Sequence, residues 1–241
     1  MRLSVIIPTL NESRTLERTI GWVRLRGADK SVELIVADCG SSDETVTLAE
    51  RLGLRVATGA SLNSRARACN AGAALATGDT LLFLHADCEV PDLFDRLIAG
   101  ALAHPRAVGG AFEFKLDGPE LRLRFVEQIN RLRYRLMMEY YGDQGIFVRR
   151  SVFEACGGYL DLPILEDAHF CRLVSRFGVL RLIRSEIRTS PRRFYHGGIL
   201  RTLAMDAVIW VWNLLCMNPN FFAAVYRREN LDVDDGCRRS S

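Results

Sequence analysis

Short apolar runs alternate with helix-spaced apolar positions through the first hundred residues. Leu3–Pro8 is a continuous apolar run that predicts a first strand, and Leu16, Ile20 and Val23 then mark one face of a helix. Val32–Asp38 predicts a second strand. The serines and acids of Gly40-Ser41-Ser42-Asp43-Glu44 suit the start of a helix that stops near Gly53. Leu54–Ala57 predicts a third strand, Ala66–Ala76 a helix rich in small residues, and Thr80–Leu84 a fourth strand after the Gly78-Asp79 turn. Pro91 opens another helix, to about His104. Strands alternating with helices of this length predict an α/β protein, its mostly parallel sheet covered by helices on both faces.

The second half has a different rhythm. Val108–Leu116 alternates enough to predict a strand, antiparallel and at the sheet edge. Leu121–Tyr141 reads as an arginine-rich helix, and Tyr141-Gly142-Asp143-Gln144-Gly145 as a tight polar loop entering the strand Ile146–Val148. Val152–Cys156 is a short helix stopped by Gly157-Gly158. Glu166 and Asp167 fall in the first turn of a helix that runs to Phe177, and two short strands near Leu180 and Arg188 lead to Pro191-Arg192-Arg193.

The polar residues sit where an open parallel sheet exposes its binding rim. Strand one ends in Pro8-Thr9-Leu10-Asn11-Glu12, strand two in Asp38 and strand four in His85-Ala86-Asp87, so the three ends can line one cleft. His85, Asp87 and Glu89 are potential metal ligands at alternate positions, and one imidazole with two carboxylates suits Mn²⁺ or Mg²⁺ clamping a diphosphate. Hydrogen bonds to the backbone are the plainer use of His85 and Glu89. No Gly-x-Gly-x-x-Gly follows strand one and no Gly-x₄-Gly-Lys-Ser/Thr occurs, which argues against dinucleotide and P-loop sites. A metal and arginines are left to hold phosphate, and the guanidinium forks of Arg192 and Arg193 fit that task unless they form a solvated turn.

Composition narrows the classes. A chain of 241 residues supports one substantial core, and a net charge of +3 with interspersed acids argues against a nucleic-acid partner. The N-terminus reads as a strand rather than a signal peptide, and seven cysteines without a Cys-x-x-Cys pair fit a reducing cytoplasm. Leu203–Met217 is strongly apolar, but its length and Asp206 argue against a bilayer span. It predicts core packing or a homodimer face. Trp210, Trp212, Phe221 and Phe222, flanked by Arg201, Arg227 and Arg228, would also suit peripheral contact with a membrane surface.

Five segments, in order, resemble the family 2 glycosyltransferases, enzymes of GT-A fold. They are Val5-Ile6-Ile7-Pro8-Thr9-Leu10-Asn11-Glu12, Asp38-Cys39-Gly40-Ser41-Ser42-Asp43, Arg65-Ala66-Arg67-Ala68-Cys69-Asn70-Ala71-Gly72, His85-Ala86-Asp87 and Glu166-Asp167. Leu84-His85-Ala86-Asp87, Tyr141-Gly142-Asp143-Gln144-Gly145 and Arg188-Thr189-Ser190-Pro191-Arg192-Arg193 resemble a bacterial subgroup labelled as arsenosugar-biosynthesis glycosyltransferases.

The resemblance implies metal-dependent, inverting transfer from a nucleoside-diphosphate sugar to an acceptor hydroxyl. Asp167, beside Glu166, would be the general base, with a helix-dipole partner as its ordinary alternative. Asp38 and Arg65 would meet the donor base, with Pro8, Thr9, Asn11, Glu12 and Ser41 completing the nucleoside pocket. Asp38 also suits a cap for the following helix. Asp87 would lead the metal ligands, and Asp143 and Gln144 would shape the acceptor side. The implied division is a transferase domain over residues 1–198, apolar helices over 199–230 and a disordered tail over 231–241. Two departures stand out: the family's Asp-x-Asp is His85-x-Asp87, and its Asp-Asp pair is Ala37-Asp38. The imidazole favours Mn²⁺ over Mg²⁺. The rival readings are a transferase acting on a lipid-linked acceptor at a membrane, and a catalytically silent nucleotide-sugar-binding protein.

Overall fold

The computed structural model describes residues 1–29, 31–137 and 139–214. Its strands are β1 (Leu3–Thr9), β2 (Glu33–Asp38), β3 (Arg55–Ala57), β4 (Thr80–Phe83), β5 (Cys88–Glu89), β6 (Ala107–Leu116), β7 (Ile146–Arg149) and β8 (Val179–Thr189). The helices are α1 (Leu16–Arg26), α2 (Thr45–Arg51), α3 (Arg65–Leu75), α4 (Phe94–Leu102), α5 (Leu121–Met137), α6 (Arg150–Ala155), α7 (Glu166–Ser175), α8 (Arg192–Gly197) and α9 (Ile199–Leu214).

The strands form one eight-stranded sheet in the order β3-β2-β1-β4-β7-β6-β8-β5. Strands β1 to β4 are parallel, β7 runs against both β4 and β6, β8 is parallel to β6, and β5 is antiparallel to β8. Successive strand side chains point to opposite faces, so the apolar runs feed two core layers. Ile6, Leu81 and Phe83 join the layer beneath α3, α5 and α7. Val5, Ile7, Leu82 and Leu84 join the layer beneath α1, α2 and α4. The small residues of α3 have a purpose. A Cβ on Gly72 would stand 2.5 Å from a methyl of Ile6, so only glycine lets α3 lie against β1 and carry Arg65 to the rim.

Three sequence expectations need correction. Strand β6 lies between β7 and β8, not at an edge, and its near-continuous burial reflects neighbours on all sides. The two strands expected near Leu180 and Arg188 are one strand, β8. A register shift sets Phe112 opposite Ile183 but Glu113 opposite Glu186, and this irregularity breaks the alternation that would have marked a single strand. Helix α4 begins at Phe94, because Leu93 takes a left-handed backbone and donates its N–H to the Arg26 carbonyl at 2.7 Å. The two-residue edge strand β5 has no counterpart among the strands expected from the sequence. Phe221, Phe222, Arg227, Arg228 and the tail from 231 to 241 lie outside the described residues, as do Met217 and the end of its apolar run. No helix among the described residues is long and apolar enough to cross a membrane.

Candidate active site

The ends of β1 and β2 are tied together by the side chains expected at the nucleoside pocket. The Asp38 carboxylate accepts hydrogen bonds from the Thr9 hydroxyl at 3.0 Å, the Ser41 hydroxyl at 2.5 Å, and the Gly40 and Ser41 N–H groups at 2.9 and 2.7 Å. Asp38 therefore anchors the turn after β2 and is not the cap of α2, which begins at Thr45. Asn11 tolerates a left-handed backbone (φ 55°) and locks the neighbouring loop. Its N–H donates to Ser41 Oγ at 2.8 Å, and its Oδ1 accepts the Ser42 N–H at 2.9 Å. Pro8 stands opposite Ala37 in the parallel register, one residue before this turn.

At the centre, Arg192 bridges two elements that lie far apart in the chain. Its guanidinium makes a fork with both Glu12 oxygens, one contact being 3.1 Å, and its Nε stands 3.4 Å from Asp87 Oδ2. Glu12 thus engages an arginine that also meets Asp87. Arg193 instead pairs with Asp206 on α9, at 2.5 Å. Burial raises the proton affinity of Asp87, and Arg192 opposes that effect.

The proposed ligand triad is not assembled. A turn at Ala86–Asp87 interrupts the extended alternation, and Glu89 on β5 pairs with Arg26 at 2.5 Å. Among the described residues no three His, Cys, Asp or Glu side chains are grouped to hold a metal ion. His85 and Asp87 remain. Burial, then Arg65 and Arg192, hold His85 well below its ordinary pKa, the neutral form a metal requires. Its buried Nε2 has no hydrogen-bond partner among the described residues. That ring lies against Gly142, where a Cβ would fall 2.1 Å from Nε2. The charges of Asp87, Asp143, Glu166 and Asp167 act on one another across this buried region, a setting that favours a cation. The residues fit a cation with few protein ligands.

Asp167 lies in the first turn of α7, is buried, and accepts the Gly142 N–H at 2.8 Å. The residue before the pair, Leu165, is held left-handed at φ 64°, an uncommon conformation for a branched side chain. Glu166 pairs with Arg65 at 3.0 Å, so Arg65 meets the carboxylate pair at the rim. Burial, reinforced by Glu166, pushes the Asp167 pKa up to about 7 against the pull of Arg65. Asp143 is raised to about 6, mainly by burial, with Arg133 and Arg193 opposing. Gln144 is buried. Its amide donates to the Phe112 carbonyl at 3.1 Å and accepts the Tyr141 N–H at 3.3 Å.

Two residues the sequence reading did not single out matter here. Gly142 joins His85 to Asp167, and Arg133 lies over the Tyr141 ring at 3.8 Å. The glycine between Tyr141 and Asp143 was the available signal. Gly142→Ala should displace His85 and loosen Asp167, costing about 1–3 kcal/mol of stability and at least about tenfold in turnover; thermal melts and transfer rates would check both. If Asp167 acts as an ionised base, kcat/KM should climb as pH rises through about 7. A flat profile from pH 6 to 8 would count against that role.

A mixed α/β fold with a mostly parallel sheet flanked by helices is shared with the GT-A glycosyltransferases. S. aureus TarS superposes with a TM-score of 0.64 at 16% identity, over 81% of this chain and 38% of that one. The Pyrobaculum calidifontis mannosyltransferase PcManGT, solved with GDP-Man and Mn²⁺, gives 0.62 at 23% identity, over 83% and 60%. GalNAc-T7, solved with UDP, GalNAc and Mn²⁺, gives 0.62 at 17% identity, over 79% and 44%. The chain therefore spans less than two thirds of each of these relatives. No curated protein matches its sequence. Residues 4–157 match glycosyl transferase family 2, so the chain belongs to that family. The match ends before Glu166, Asp167 and Arg192.

Proposed function

We propose that this family member is a glycosyltransferase that moves a sugar from a nucleoside-diphosphate sugar to an acceptor hydroxyl, inverting the anomeric carbon, with Asp167 as general base. The observation that carries this reading is the seat of Asp167: buried, oriented by the Gly142 N–H, and with a proton affinity near neutrality. A base of that affinity accepts a hydroxyl proton as the acceptor oxygen attacks, and can release it at physiological pH. Glu166 holds Arg65 beside it. The rim formed by Pro8, Thr9, Asn11, Asp38 and Ser41 offers backbone and hydroxyl groups to a nucleoside, and Arg192 can turn its fork from Glu12 to a phosphate.

Asp87 and His85, with diphosphate oxygens, would hold Mn²⁺ or Mg²⁺, which when bound neutralises charge on the departing diphosphate. The relatives solved with GDP-Man or UDP together with Mn²⁺ support this choice of ligand class. The subgroup likeness makes arsenosugar precursors the first acceptors to assay. Calorimetry with UDP and GDP, with and without Mn²⁺, tests the donor side. Binding should strengthen with the metal, and equal affinity in EDTA would remove the cation from the reading.

A further inference from the structure

We propose that the outer faces of α5 and α9 dock on an anionic lipid bilayer. Helix α5 carries two apolar stripes. Leu123, Val126 and Tyr134 pack into the core layer, whereas Leu121, Phe125 and Leu132 are 85, 61 and 62% exposed. With Ile129 these exposed residues fall within one narrow arc of the helix at 100° per residue, a ridge along its solvent face. Helix α9 repeats the pattern: Ile199 and Leu203 pack on that same core layer, while Leu200, Val208 and Val211 are exposed. Both ridges thus point away from one core layer. A row of large exposed apolar side chains along a helix, as on α5, marks an interaction site.

Charge selects the occupant. On α5 the ridge is bordered by the exposed Arg122 on one side and on the other by Arg135 and Arg124, which also pair with Glu113 and Glu127, and on α9 by Arg201. A cleft of about 420 Å³ beside Arg135 is also lined by Arg181 and Arg184, with Glu113 as its one acid. An apolar ridge between arginines is the composition of an in-plane interfacial helix, whose stems lie along the acyl boundary while the guanidinium groups meet anionic headgroups. A second copy of the chain brought face to face would set arginines against arginines, a like-charge penalty that lipid phosphates remove. The apolar C-terminal segment carries only the α9 half of this surface. The α5 half lies within the region expected to form the transferase domain.

The test uses the full chain and vesicles of phosphatidylcholine with or without phosphatidylglycerol. Sedimentation should show binding to the anionic vesicles, weaker binding to neutral ones, and loss of binding at high salt. Phe125→Ser combined with Leu132→Ser should weaken binding at least about tenfold, and Arg122→Gln by roughly fivefold. All three positions are exposed, so nucleotide binding and the circular dichroism spectrum should not change. Failure of the parent to bind anionic vesicles would overturn the proposal, as would unaltered binding by the double serine variant. A dimer on sizing that the serine variant dissolves, without vesicle binding, would assign the surface to a second copy instead.

Discussion

Asp167→Asn is expected to lower turnover by about 10²–10⁴-fold while donor binding stays close to that of the parent. Asparagine keeps the shape of the side chain and can still accept the Gly142 N–H through Oδ1, but it cannot take a proton. Stability should move the opposite way to activity. The folded pKa of Asp167 is raised, so the carboxyl contributes stability in its neutral form, and that contribution is lost as pH climbs through about 7. The neutral variant lacks this loss, and its melting temperature should gain on the parent's between about pH 4 and 7 and hold level above that. If Asp167 were only a partner of the α7 dipole, the result would differ: a loss of about 0.3–1 kcal/mol at neutral pH and near-normal turnover. Transfer rate, donor affinity and melting temperature measured on one preparation separate the two cases.

Asp87→Ala should abolish the effect of Mn²⁺ on nucleotide affinity and reduce kcat/KM by roughly 10²–10³-fold, the scale of several kcal/mol of lost charge stabilisation. The competing explanation is that Asp87 only positions Arg192, which stands 3.4 Å away and also holds Glu12. Arg192→Ala separates them. If positioning is the whole role, both single variants and the double variant should be equally impaired, and metal dependence should survive in each. If Asp87 holds the cation, the Arg192 variant keeps its metal response and the Asp87 variant does not. A metal response that persists in Asp87→Ala would sink the assignment.

The period-two and period-3.6 patterns of the first half were sufficient to determine β1 to β4, the helices between them and the two-faced core. Those elements are local, and each apolar run has one way to bury itself. From this follows the convergence of Thr9, Asp38 and Asp87, because parallel strands must end on one rim. The second half resisted the same reading. β6 and β8 are defined by neighbours distant in the chain, and an irregular register hid the continuity of β8. Glu89 looked equivalent to Asp87 only while the backbone was taken as extended; the turn before β5 brings it to Arg26 instead. The Arg192 fork on Glu12 and the Gly142 contacts with both His85 and Asp167 join residues that share no local pattern. Sequence alone determined which groups reach the rim, since local geometry carries them there. Tertiary packing decided which of them pair, because hydrogen bonds and ion pairs between distant segments depend on ångström-scale distances that no periodicity encodes.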